Sequence, residues 1–200
     1  MIHSFKNMVP VVDSSAYVHP LAVVIGHVTI GPDCYIGPGA VLRGDWGKIS
    51  LEKGCNVQEN AVLHMFPKDE VILKEGAHIG HGAMIHGACI GVQTMVGMNA
   101  VVLDHAVIGD GSIVGALTMV KARSSWEDRS LIVGNPAKKI GDVSDEMFAH
   151  KMEGTALYQQ LAQDMQRQAR EVSPLQAIPK NRVEDFPEFE TWQQRRQKNS

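Results

Sequence analysis

Val12, Val18, Val24, Ile30, Ile36 and Leu42 are branched apolar residues separated by steps of six. Four positions after each stand Ala16, Ala22, Val28, Cys34, Ala40 and finally Trp46, so small side chains hold this slot until the tryptophan breaks it. Gly31 and Gly37 directly follow apolar repeat positions, where a turn former belongs. A strict period of six over this length fits neither the ~3.6-residue turn of a helix nor the two-residue alternation of an ordinary strand. It fits a chain that turns a corner every repeat, a parallel β-helix whose coils bury their apolar side only by stacking.

The pattern resumes with shifted phase at Leu51, Val57 and Leu63, then at Leu73, Ile79 and Ile85, and again from Ile90 through Val96, Val102, Ile108 and Val114 to Val120. The small slot then holds Cys55, Ala61, Ala77, Ala83 and Cys89, followed by Thr94, Ala100, Ala106, Ser112 and Thr118. All three cysteines are therefore expected at crowded corners, as buried structural thiols and not as nucleophiles. About five to six coils are expected over residues 11–125.

Two hundred residues with 44% hydrophobic content suffice for one domain with a real core. A formal charge of -3 with both signs interspersed gives no nucleic-acid footprint. The N-terminus lacks an apolar signal region, and no apolar run reaches membrane-spanning length, so neither secretion nor a membrane partner is expected. An odd cysteine count argues against a disulfide framework and for a cytoplasmic protein.

The repeat resembles that of the left-handed β-helix family, in which three hexapeptides make one coil; that count assigns the faces, once the phase shifts are treated as loops at Trp46–Lys48 and Met65–Lys68 and a one-residue deletion between Ile85 and Ile90. Val24, Leu42, Leu63, Ile85 and Val102 then share one face. Side chains alternate along a strand, so the residues just before these point outward: Val23, Val41, Val62, Met84 and Val101. So apolar an outward column implies burial against another subunit. In the outward slot just after the repeat residue stand Arg43, His64 and His86, the two histidines one coil apart. Stacked strands about 4.8 Å apart let two imidazoles reach one ion. His81 lies two past Ile79, at the corner of a different face, so a third ligand has to come from a neighbouring subunit. The remaining histidines, His78 and His150 among them, read as ordinary polar residues.

The repeat together with Arg43-Gly44-Asp45, Asn56-Val57-Gln58-Glu59, His64 and the stretch His81 to His86 resembles the γ-class carbonic anhydrase-like hexapeptide family over roughly residues 10–175. The narrower likeness, through His64-Met65-Phe66-Pro67, Gly97 to Val102, Ile132 to Lys138 and Val172 to Leu175, is to the branch holding phenylacetate-degradation thioesterases and carnitine operon proteins. The resemblance implies a left-handed β-helix, a homotrimer, and a zinc, iron or cobalt ion at each interface held by His64, His86 and a neighbour's His81. It assigns Arg43 and Asp45 to an inter-subunit ion pair, Gln58 to a hydrogen bond with metal-bound hydroxide, and Asn56 to its support; Glu59, close by in the sequence, is a candidate acid or base. On this resemblance the expected function is metal-dependent hydrolysis of an acyl-CoA thioester in phenylacetate breakdown.

CO2 hydration is the first alternative, but the proton-shuttling glutamates of active carbonic anhydrases are missing where Trp46 and Met65-Phe66-Pro67 stand. CoA-dependent acyl transfer is another, because Gly134-Asn135-Pro136-Ala137-Lys138 resembles a segment of hexapeptide acyltransferases that use a histidine base without metal. A non-enzymatic assembly subunit is the last.

The β-helix domain is expected over 1–140. Ser144 is a good N-cap with Asp145 and Glu146 in the first turn, which predicts a C-terminal helix within 141–172 lying along the β-helix. Its buried stripe is expected to be Met147, Gly154, Tyr158, Leu161 and Met165, interrupted by Lys151. Pro174, Pro179 and Pro187 make 173–200 an irregular tail.

Overall fold

The computed structural model describes residues 1–198. The six-residue spacing becomes three columns of stacked parallel strands around a left-handed β-helix. On the first face Ile2, Val24, Leu42, Leu63, Ile85, Val102 and Val120 lie in register, coil above coil. The second face stacks Val12, Ile30, Leu51, Leu73, Ile90, Ile108 and Trp126. The third stacks Val18, Ile36, Val57, Ile79, Val96, Val114 and Ile132.

Among the described residues the β-helix makes about seven turns, more than the five to six expected. The excess arises at both ends: Ile2–His3 pairs with Val24 and Ile25, and Ser125–Trp126 and Ser130–Val133 carry the columns past Val120. Lys138–Asp142 then folds back antiparallel on Ser130–Val133 and ends the stack.

Each coil contributes three large inward side chains, and Leu42, Leu63, Ile85 and Ile79 are fully buried. Burying one such side chain is worth roughly 1.5–3 kcal/mol, which stacking realises repeatedly. The small slots sit between them, with Ala22, Ala40, Ala61, Ala83 and Ala100 fully buried.

Cys34 and Cys55 occupy such slots and direct their thiols at the carbonyls of Glu52 and Lys74, each at 3.1 Å. Cys89 does not. The residue missing between Ile85 and Ile90 places Ala88 in the buried slot and leaves Cys89 half-exposed.

The three-residue excess near Trp46 is present, between Gly44 and Ile49, but it forms no loop. It is carried by an eleven-residue strand, Val41–Leu51, that stays paired with Val23–Ile30 across a register shift. Gly44 permits this close approach, because a Cβ there would lie 2.7 Å from the His27 carbonyl oxygen.

Helix α1 (Asp145–Gln168) is capped by Ser144, whose side chain accepts a hydrogen bond from the Met147 amide at 3.2 Å. The residues of α1 that become buried are Lys151, Thr155 and Ala162, not the expected apolar stripe. The helix is held to the β-helix by polar side chains meeting corner carbonyls, among them Gln159 to Gly54 and Gln166 to Ala16.

The tail expected to be irregular contains a short helix, α2 (Trp192–Lys198), docked on α1 through Arg195 and Glu153 at 2.6 Å. Among the described residues no helix is long and apolar enough to cross a membrane.

Candidate functional site

The two ends of the first face gather separate groups of the residues singled out by sequence. At its exit edge the strands Val62–His64 and Met84–His86 pair in parallel, so His64 stands directly opposite His86 with ring centroids 5.3 Å apart. The coil below contributes Arg43 and Asp45, joined within the chain at 2.8 Å. Asp45 Oδ1 accepts from His64 Nε2 at 3.1 Å, and Arg43 reaches His64 Nδ1 at 3.3 Å. Burial works against the charge on Asp45, but the hydrogen bonds from His64 and Arg43 outweigh it and hold the carboxyl below its usual range. Burial lowers His64.

His86 has a different partner. Its Nδ1 lies 2.6 Å from Asp104 Oδ1. A carboxylate accepts from Nδ1–H, which fixes the tautomer and leaves Nε2 as the lone-pair nitrogen. Asp104 was missed by sequence reading, although it lies only two residues past Val102, the residue stacked on Ile85. Counting one coil further would have found it. Trp46 and Phe66, both about half exposed, flank the pair, with ring centroids 5.3 Å from His64 and 4.9 Å from His86.

At the entry edge lie Asn56, Gln58, Glu59 and His81. His81 occupies a corner, with Nδ1 at 2.5 Å from Glu59 Oε2 and the Tyr158 hydroxyl at 3.5 Å from Nε2. Tyr35 donates to Glu59 Oε1 at 3.0 Å, and burial raises the Tyr35 phenol. Gln58 is buried, donates to Asn56 Oδ1 at 2.9 Å and stands 2.7 Å from His78 Nε2. Its amide is thus spent beneath α1 and does not face the histidine pair. His78, read as an ordinary polar residue, is enclosed by Gln58, Thr155 and Tyr158, and burial pushes its ring down to about 3.

Within one chain these groups do not fit a metal ion. His81 belongs to the entry cluster, His64 has both ring nitrogens engaged, and no group of three or more His, Cys, Asp or Glu among the described residues could hold a metal.

Residues 10–44 match the family model for the bacterial transferase hexapeptide (six repeats). The carnitine operon protein CaiE of Citrobacter koseri is 48% identical over 180 residues, 90% of this chain and 91% of that protein. Among solved structures, a Bacillus cereus protein provisionally classed as an acetyltransferase superposes with a TM-score of 0.82 at 28% identity, covering 84% of this chain and 97% of its own. A hexapeptide transferase family protein from Anaplasma phagocytophilum gives a TM-score of 0.78 at 30% identity, covering 82% and 96%.

These relatives correct the expected function. They are transferase-family proteins and a carnitine operon protein, so the reading as a metal-dependent hydrolase acting on a phenylacetate-derived thioester is overturned. The Arg-Gly-Asp, histidine and glutamine residues that suggested it are arranged as two carboxylate-imidazole clusters; His86 is oriented through Nδ1 by Asp104, and among the described residues its Nε2 makes no hydrogen bond, whereas both nitrogens of His64 and His81 have neighbours. At 48% identity across nine-tenths of its length, the chain belongs to the hexapeptide-repeat transferase family, with the CaiE carnitine operon proteins among its members.

Proposed function

We propose that this protein is a CoA-dependent acyltransferase that acts as a homotrimer on a small hydroxylated acceptor, with His86 as general base. The observation that carries the reading is the 2.6 Å contact between His86 Nδ1 and Asp104 Oδ1. An imidazole held in this way presents Nε2 to a hydroxyl and is stabilised by the carboxylate once protonated. His86 Nε2 takes the acceptor's proton as its oxygen attacks the thioester carbonyl. The carbon-sulfur bond then breaks, and the departing CoA thiolate recovers the proton from His86. Atoms and charges balance without a metal.

The trimer is supported by the outward side of the first face. Val41, Val62, Val101 and Met119 are half-buried there, while Met84 is 43% exposed and Met98 and Leu117 at the adjoining corner are 55% and 73% exposed. A second copy seated on this face would bring its entry cluster toward the exit cluster and enclose the space beside His86. The acceptor class is suggested by Trp46 and Phe66 beside the histidines, since aromatic faces attract quaternary ammonium groups, and by Arg43, which suits a carboxylate. Carnitine carries both groups and a hydroxyl, and the name of the CaiE relatives makes it the first acceptor to try.

The test is to incubate purified protein with acetyl-CoA and carnitine and to follow acetylated product by mass spectrometry. His86→Gln should lower the rate roughly 100- to 10,000-fold, the range of a lost general base. Product formation that is unchanged in His86→Gln would refute the assignment.

A further inference from the structure

Lys151 is 5% exposed and lies on the face of α1 packed against the β-helix, far from any role in the proposed reaction. Its Nζ donates to the Gly76 carbonyl oxygen at 3.0 Å and to Gln93 Oε1 at 2.7 Å, two uncharged partners. An ammonium has three N–H groups to satisfy, whereas a neutral amine has two and keeps a lone pair. Two acceptors therefore suit the neutral amine. Burial agrees, pushing the group down to about 7.

Lys151 also borders a cavity of ≈ 280 Å³ walled by Met95, Ile113, Met147, His150 and Trp192. Its roof is α2, held by the exposed Arg195–Glu153 pair and by His150 Nε2 donating to the Glu190 carbonyl at 2.8 Å. The rings of Phe189 and Trp192 also pack on His150, with centroids at 5.0 and 5.5 Å, so polar and aromatic contacts together join the roof to α1.

We propose that Lys151 is an acylation site, its amine accepting the acyl group of a short-chain thioester admitted to this cavity. The Nζ lone pair attacks the thioester carbonyl and forms the nitrogen-carbon bond. The carbon-sulfur bond breaks, and the thiol leaves with the proton lost by nitrogen. The product amide is neutral, like the amine it replaces, and its acyl chain fills apolar space. This goes beyond the proposed function, sharing its thioester donor but not its base, so His86 is not required.

The test uses the full chain and S-acetyl-N-acetylcysteamine, with intact-mass analysis and peptide mapping between pH 6 and 9. The expected result is one early adduct on Lys151, formed about tenfold or more faster than on exposed lysines such as Lys53, with a half-maximal rate near pH 7. His86→Ala should acylate Lys151 at the wild-type rate, which separates this site from the proposed transferase reaction. Lys151→Gln should lose the early adduct. The profile is read against the titratable groups facing Lys151, namely His78 and Cys55 on the β-helix and His150 on its own helix. Adducts confined to exposed lysines, or a Lys151 rate that climbs toward an ordinary amine value of about 10.4, would overturn the assignment. The wild-type profile decides this even where Lys151→Gln fails to fold.

Discussion

His78 sets an acid limit on the stability of this fold. In the native chain burial, helped by the nearby charges of Lys151 and His81, keeps its ring neutral and pushes its ionisation down to about 3, with Gln58 and Thr155 against its two nitrogens. In the unfolded chain the same ring protonates near 6.5. The folded value is depressed, so the stability is fully present above the unfolded value and is lost as pH falls toward the folded one. Across this window the unfolded state binds the extra proton, at a cost of up to ~1.4 kcal/mol per pH unit, or about 2 kcal/mol between pH 7 and pH 5. Burial lowers His64 as well, which adds a slope of the same sign. Lys151 contributes none here, because its window runs upward from about 7. His78→Gln keeps an amide against Gln58 but removes the titration. Urea denaturation followed by circular dichroism, at one protein concentration and at pH 7, 6 and 5, should show the wild type losing about 2 kcal/mol more than the variant. Equal slopes for the two proteins would show that His78 does not take up this proton on unfolding.

Other consequences are as direct. Leu63→Ala empties a fully buried position between Leu42 and Ile85 and should cost about 2–5 kcal/mol in the same denaturation assay. Asp104→Asn keeps the shape beside His86 but removes the carboxylate, so transfer should fall by at least ~100-fold while thermal stability changes little. Met84→Glu places a charge at the centre of the proposed subunit face, and gel filtration should show monomer where the wild type gives trimer.

The fold was legible in the sequence because the core is one-dimensional. A single inward position recurs every six residues, so register followed from counting, and the first-face column from Val24 to Val102 stands in the structure as the repeat places it. Counting failed where the backbone absorbed an irregularity in a way spacing does not encode. Trp46 to Lys48 stayed within a strand because Gly44 lets two strands approach closely, and one missing residue turned Cys89 outward.

The site was legible only in part. The His64–His86 pairing followed from register, but orientation did not. That Gln58 turns inward to His78, and that Asp104 orients His86, depend on side-chain rotamers and on α1. The buried face of α1 was misread because Lys151 and Thr155 look like surface residues until the corner carbonyls they meet are in place.

The stoichiometry of one reaction separates acyl transfer from hydrolysis. With acetyl-CoA and carnitine supplied together, free CoA and acetylated acceptor are quantified from the same mixture, with a second mixture lacking the acceptor. Transfer through His86 predicts one acetylated acceptor for each CoA released and almost no release when the acceptor is left out. Release of CoA at the same rate without acceptor, matched by free acetate, would contradict the account.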